Sequence, residues 1–144
     1  IDGTVLARAG ITRLNFTIAK NGTIHGDAVP DGLLASVLSL EEMLPAVGQG
    51  AIGIEIRAND ERIAKICEGL NHRNTFQAVT AERACLSGMG GGCQSPVAAY
   101  GEILEDKIFV RALSFANGPM RRAEGTRPIK EAAELGRQLA AELK

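Results

Sequence analysis

Tryptophan is absent from this sequence and aromatic residues make up only 3% of it, so a core has to be built from aliphatic side chains and alanine. Histidine is scarce too. His25 and His72 are the only two, and the three cysteines (Cys67, Cys85, Cys93) form no Cys-x-x-Cys pair, so no metal-ligand spacing is present. No excess of one charge exists either: the net charge of −1 argues against broad non-specific binding to nucleic acid. No apolar run approaches the ~20 residues that span a bilayer. An odd cysteine count without a signal peptide fits a reducing cytoplasm. The first residue is Ile1 rather than an initiator methionine, which predicts a fragment or a processed chain.

What is present is enough for one domain or two small ones. The 144 residues are 45% hydrophobic, which permits a packed core. Charge is divided unevenly: residues 1–72 hold six basic and nine acidic side chains, residues 73–144 ten and eight. That is a mild asymmetry and not the footprint of a polyanion partner.

Taken in order, residues 4–9 read as a short buried strand entering a turn at Gly10. The alternation of Phe16, Ile18 and Ile24 around Asn21-Gly22 predicts a hairpin, and residues 33–40 a short helix or an irregular connector. Pro45, Gly48 and Gly50 mark a chain crossing between two bodies. Ile52, Ile54 and Ile56 then alternate as in a strand. Asn59 or Asp60 caps a helix whose apolar stripe is Ile63, Ile66, Cys67 and Leu70, which places Cys67 in the core. A second helix runs over 74–86, capped by Asn74 or Thr75, with Cys85 packed near its end. His72 reads as a cap or linker group. Strands follow over 97–104, 107–115 and about 120–125, with turns at Glu105-Asp106 and Asn117-Gly118-Pro119. A last helix begins near Pro128. Residues 73–144 therefore predict an α+β unit with a three-stranded antiparallel sheet.

Between the second helix and the sheet stands Gly90-Gly91-Gly92-Cys93-Gln94-Ser95-Pro96. Three glycines deliver a thiol into a loop and leave room for a bulky group near the backbone. Cys93 is a candidate reactive or modified cysteine; as a lone cysteine it reads equally as a small buried hydrophobe. Arg13 can hold a carboxylate by two parallel hydrogen bonds, or stand as a solvated surface charge. Gln49 between two glycines can offer N–H groups and an amide to a ligand, or simply form a tight turn.

Two stretches carry a resemblance. Leu44-Pro45-Ala46-Val47-Gly48-Gln49-Gly50-Ala51-Ile52-Gly53-Ile54-Glu55, and Ala81-Glu82-Arg83-Ala84 followed by Gly91-Gly92-Cys93-Gln94-Ser95-Pro96, resemble the hydroxymethylbilane synthase (porphobilinogen deaminase) family. The run from Val5 to Leu14 is similar to the segment of that family that precedes the crossing. Against the family pattern, the segment from Asn15 to Leu38 is longer than usual. Cys85 replaces a common aromatic, Ser95 an apolar residue and Gly90 an acid.

The resemblance implies the later half of a three-domain enzyme. Residues 1–44 would finish a second domain, the end of a periplasmic-binding-protein-like α/β pair. Residues 45–70 would cross back to the first domain, and residues 71–144 would form the third, an α+β cofactor-attachment domain. The implied activity is that of a cytoplasmic transferase, a monomer at full length, joining four porphobilinogens into hydroxymethylbilane with release of ammonia. The primer is a dipyrromethane cofactor, joined by a thioether to the cysteine matching Cys93 and surrounded by residues matching Arg13, Gln49, Gly50 and Ala51. The catalytic aspartate would lie in the absent N-terminal domains, leaving no catalytic residue here and a chain inactive alone. No metal, nucleic acid or membrane partner is implied. Two other readings of the residues are a non-catalytic α+β ligand-binding module and a thiol redox sensor.

Overall fold

The computed structural model describes residues 3–92 and 94–144. The chain divides into two compact units, one ending at Met43 and one spanning Leu44–Lys144.

In the first unit, helix α1 (Arg8–Arg13) is followed by strands β1 (Thr17–Ile18) and β2 (Ile24–His25). The expected hairpin is present: Thr17 faces His25 and Ile18 faces Ile24, with Gly22 at φ +85° in the turn. Residues 33–40 form an irregular connector, joined to the hairpin through a Thr23–Leu34 bridge. The expected strand over 4–9 is not there. Its end is the start of α1, whose first N–H pairing runs from Gly10 to the Ala7 carbonyl at 3.0 Å. A strand needs a neighbour to take its N–H and C=O groups, and no described strand pairs with this segment. None of the described residues in this unit is buried.

The second unit opens with a turn over 46–51. Residues 52–57, expected as a strand, carry no regular secondary structure and pair with no described strand, and Ile52 is 91% exposed. Alternation alone does not make a strand without a partner to hydrogen-bond. Helix α2 (Glu61–Leu70) forms as expected, with the Ile63 N–H donating to the Asp60 carboxylate at 3.1 Å. It buries no residue, so Cys67 is half-buried on a helix surface and not in the core.

Helix α3 (Arg73–Gly88), strands β3 (Val97–Leu104), β4 (Lys107–Ser114) and β5 (Arg121–Pro128), and helix α4 (Ala132–Leu143) complete the unit. The cap of α3 is His72, two or three residues earlier than expected: its Nδ1 accepts the Thr75 N–H at 3.4 Å and lies 2.8 Å from the Thr75 hydroxyl. The sheet is antiparallel in the order β3-β4-β5, as the alternation predicts. Strand β5 continues to Pro128, beyond the expected end at Gly125, and a single 3-10 turn (Ile129–Glu131) precedes α4. No helix among the described residues is long and apolar enough to cross a membrane.

Both helices lie on one face of the sheet. Val97, Ala99, Ile108, Val110 and Ala112 point into that face at every second position. Leu135, Gly136, Leu139, Ala140 and Leu143 return the helical spacing from α4, while α3 contributes Ala81 and Cys85. With no large aromatic to fill space, the helices close the gap by backbone approach. A side chain at Gly136 would meet the Ala81 carbonyl, the Ala84 Cβ at 2.8 Å and the Cys85 nitrogen at 2.9 Å. Gly136→Ala is therefore expected to destabilise the unit by about 1–3 kcal/mol through overpacking. Gly69→Ala in α2, where an added methyl meets nothing within 4 Å, should stabilise by about 0.5–1 kcal/mol. Urea titration of both variants checks the pair.

Candidate functional site

Helix α3 organises the site. Its Ala78, Ala81, Glu82 and Cys85 share one face by spacing, and on that face Glu82 is an ion only 5% exposed. A buried carboxylate needs donors. Its Oε2 accepts the Gly48 N–H at 2.8 Å and its Oε1 accepts the Gly101 N–H at 2.9 Å. Desolvation pushes the Glu82 carboxyl above its ordinary value, and the two backbone donors pull the other way. Gly101 eases the reach: a Cβ there would lie 3.2 Å from the Ala78 backbone and Cβ, tighter than most such contacts, so glycine favours the close approach of β3 to α3.

The turn that Glu82 holds contains the expected site residues Gln49, Gly50 and Ala51. Gly48 and Gly50 have φ +72° and +82°, the left-handed region that glycine enters without strain. The Gln49 N–H donates to Ala46 at 3.0 Å and the Ala51 N–H to Gly48 at 3.1 Å. Ala46 also bridges to Ala98 on the free edge of β3. Gln49 and Gly50 are exposed and Ala51 is half-buried.

At its far end α3 closes in a Schellman turn. Gly90 sits at φ +72°, its N–H donates to Ser87 at 2.9 Å, and the Gly91 N–H returns to Leu86 at 3.1 Å. The Gly92 N–H then donates to the Ser95 hydroxyl, and the Ser95 N–H to the Gly92 carbonyl, both at 2.9 Å. Cys93 itself lies outside the described residues. On the described residues beside it, an added methyl at Gly90 or Gly92 would meet nothing within 4 Å, whereas Gly91 is packed against Ser95 and Leu86; in the 46–51 turn Gly50 is likewise open.

Arg13 belongs to the first unit, at the exposed end of α1, and makes no hydrogen bond or ion pair with the described residues. Its cation complements the carbonyl end of that helix. Among the described residues no group of three or more His, Cys, Asp or Glu side chains could hold a metal ion.

Comparison with known proteins identifies the family. The family model described as "Porphobilinogen deaminase, dipyromethane cofactor binding domain" matches residues 1–65, and "Porphobilinogen deaminase, C-terminal domain" matches residues 76–144. The chain belongs to the porphobilinogen deaminase family. Porphobilinogen deaminase of Desulforamulus reducens is 33% identical over 145 residues, covering 99% of this chain and 42% of that protein. The Carboxydothermus hydrogenoformans porphobilinogen deaminase is 35% identical, with the same two coverages of 99% and 42%. The chain thus spans 42% of the length of these two deaminases. Arg13, Gln49, Gly50 and Ala51 fall in the match to the cofactor-binding domain of the deaminases, and Cys93 in the match to their C-terminal domain.

Reading the residues one by one missed Glu82. Its signal was there, since an acid on the stripe formed by Ala78, Ala81 and Cys85 is a charge committed to burial.

Cys85 is not a reactive thiol. It is fully buried, and desolvation pushes it up to about 11. In the folded protein at pH 8, iodoacetamide is expected to leave Cys85 intact while alkylating the half-buried Cys67, as peptide mass mapping can read. Because the folded value lies above the ordinary 9.0, the neutral thiol's contribution is complete below pH 9 and fades as pH rises toward 11. Relative to Cys85→Ala, the protein should lose about 2–3 kcal/mol over that window in alkaline denaturation.

Proposed function

We propose that this chain is the primer-bearing part of a porphobilinogen deaminase, a transferase of tetrapyrrole biosynthesis that joins four porphobilinogens into hydroxymethylbilane with loss of ammonia. The observation that carries the reading is the Gly90–Pro96 loop. It issues from a closed helix end, keeps open space beside Gly90 and Gly92, and lies in a match to the deaminase C-terminal domain.

On this reading the Cys93 sulfur is the permanent anchor of a dipyrromethane, joined by a thioether bond. A thiolate is a strong nucleophile toward a carbon that has lost an amine, and once alkylated it is a stable tether. When bound, that group would supply the free pyrrole position to which the first porphobilinogen is joined. Tethering keeps the growing chain at high effective concentration. Arg13 pairs with acetate or propionate carboxylates on the rings. Gln49, Gly50 and Ala51 offer backbone and amide contacts with little bulk. The aspartate that moves protons during ammonia loss belongs to the part of the deaminase that this chain does not span, so the chain alone does not turn over. Free Cys67 and Cys85 thiols fit work in the reducing cytoplasm.

Intact-mass analysis of the whole protein tests the anchor. The expected result is a dipyrromethane mass on the peptide holding Cys93, absent from Cys93→Ala together with turnover. An adduct that survives Cys93→Ala, or a sulfenic acid or mixed disulfide on Cys93 of the active protein, overturns the reading. Arg13→Leu should lower kcat/KM by about 10- to 150-fold, the loss of about 1.5–3 kcal/mol from a desolvated charged pair. Its thermal midpoint should fall only slightly, by the small helix-end charge effect, because Arg13 makes no hydrogen bond or ion pair with the described residues.

A further inference from the structure

The burial of Glu82 is more than packing requires. The core elements α3, α4 and the sheet already close around Ala81, Cys85, Ile108, Val110, Leu135 and Leu139. An ion at position 82 adds nothing to that apolar contact, and burying it is unfavourable unless it gains partners. Its two partners come from different places in the chain, 34 residues before it and 19 after. One is Gly101 in the body of the sheet, and the other is Gly48 in the turn that presents Gln49, Gly50 and Ala51. Each oxygen takes one N–H, so a single anion fixes the turn to a helix that is itself locked to the sheet.

We propose that Glu82 is a positioning residue for the tethered pyrrole chain: through the Gly48 and Gly101 N–H groups it sets where the 46–51 turn stands on the helix whose end carries the Cys93 loop. The proposal rests on the deaminase reading above. Along α3, Glu82 and Gly90 are eight residues apart, roughly 12 Å of helix axis. The Gln49–Ala51 turn and Gly90, where the chain leaves the helix toward Cys93, are thereby held on one strut. Apart from Glu82, the turn is held by Val47 packed against the core, by the Ala46–Ala98 bridge and by its own internal hydrogen bonds.

The substitution Glu82→Gln keeps the shape but leaves one acceptor oxygen and aims an amide NH2 at a backbone N–H. In the whole protein, amide hydrogen exchange should quicken at least tenfold across 46–51 while residues 132–143 of α4 stay within twofold. Turnover should drop tenfold or more, with Cys93 still carrying its adduct by mass. The variant Glu82→Asp keeps the charge but is one methylene shorter, so it should recover one of the two bonds and fall between the parent and Glu82→Gln in both readouts. It also serves if Glu82→Gln fails to fold. Equal quickening in the turn and in α4 overturns the proposal, because Glu82 is then only structural. A loose turn with turnover within twofold of the parent also overturns it, as does an unchanged turn. If the parent itself carries no adduct on Cys93, the deaminase reading fails instead, and the exchange data alone judge the clip.

Discussion

A carboxylate buried in an apolar face is tolerated only where every lone pair that matters has a donor, and Glu82 meets that condition with two backbone N–H groups. Much of the second unit follows from it. The donors must come close, so β3 has a glycine at 101 where α3 lies against it, and the turn before Gln49 has a glycine at φ +72° that aims its N–H inward. Side-chain hydrogen bonding thus does what a further strand would otherwise do at the edge of β3. The Ala46 bridge and the Glu82 carboxylate between them occupy groups that would stand open to another chain.

The poverty in aromatics shapes the rest of the core. Lacking bulky rings, the buried core reaches contact by narrowing the distance between backbones, with Gly136 set against α3 and Gly88 against Ala140. Tight packing of small residues gives many short dispersion contacts and little room to relax. It also gives α3 a fixed bearing between the Glu82 carboxylate at its middle and the closed turn at its end.

Legibility in the sequence followed the location of the partners. The β3-β4-β5 sheet and α4 were readable because each apolar stripe finds its complement within 97–143. The 17–25 hairpin was readable from Asn21-Gly22. Ile52, Ile54 and Ile56 show the same period as β3, yet pair with nothing described, since periodicity reports which face is apolar and not what covers it. Cys67 misled for a like reason: it falls on an amphipathic stripe whose helix buries nothing. At the site, the glycine loop and the 48–51 turn were conspicuous as residues, while their union through Glu82 depends on a hydrogen bond between segments far apart in sequence. The cofactor came from motif resemblance, because no rule of spacing distinguishes an anchor cysteine from a packed one.

The helix end at Gly90 has a consequence for reach. Its closing bonds to Ser87 and Leu86 make the last turn of α3 a fixed pivot. Two residues stand between that pivot and Cys93, and the three chain steps this makes extend at most about 10 Å. On the proposed reading, a primer joined to that sulfur would be leashed to a small sphere around the helix terminus. As such a leashed object lengthened, its tip would travel outward while its root stayed home, so any machinery acting on the tip would have either to tolerate a moving target or to follow it.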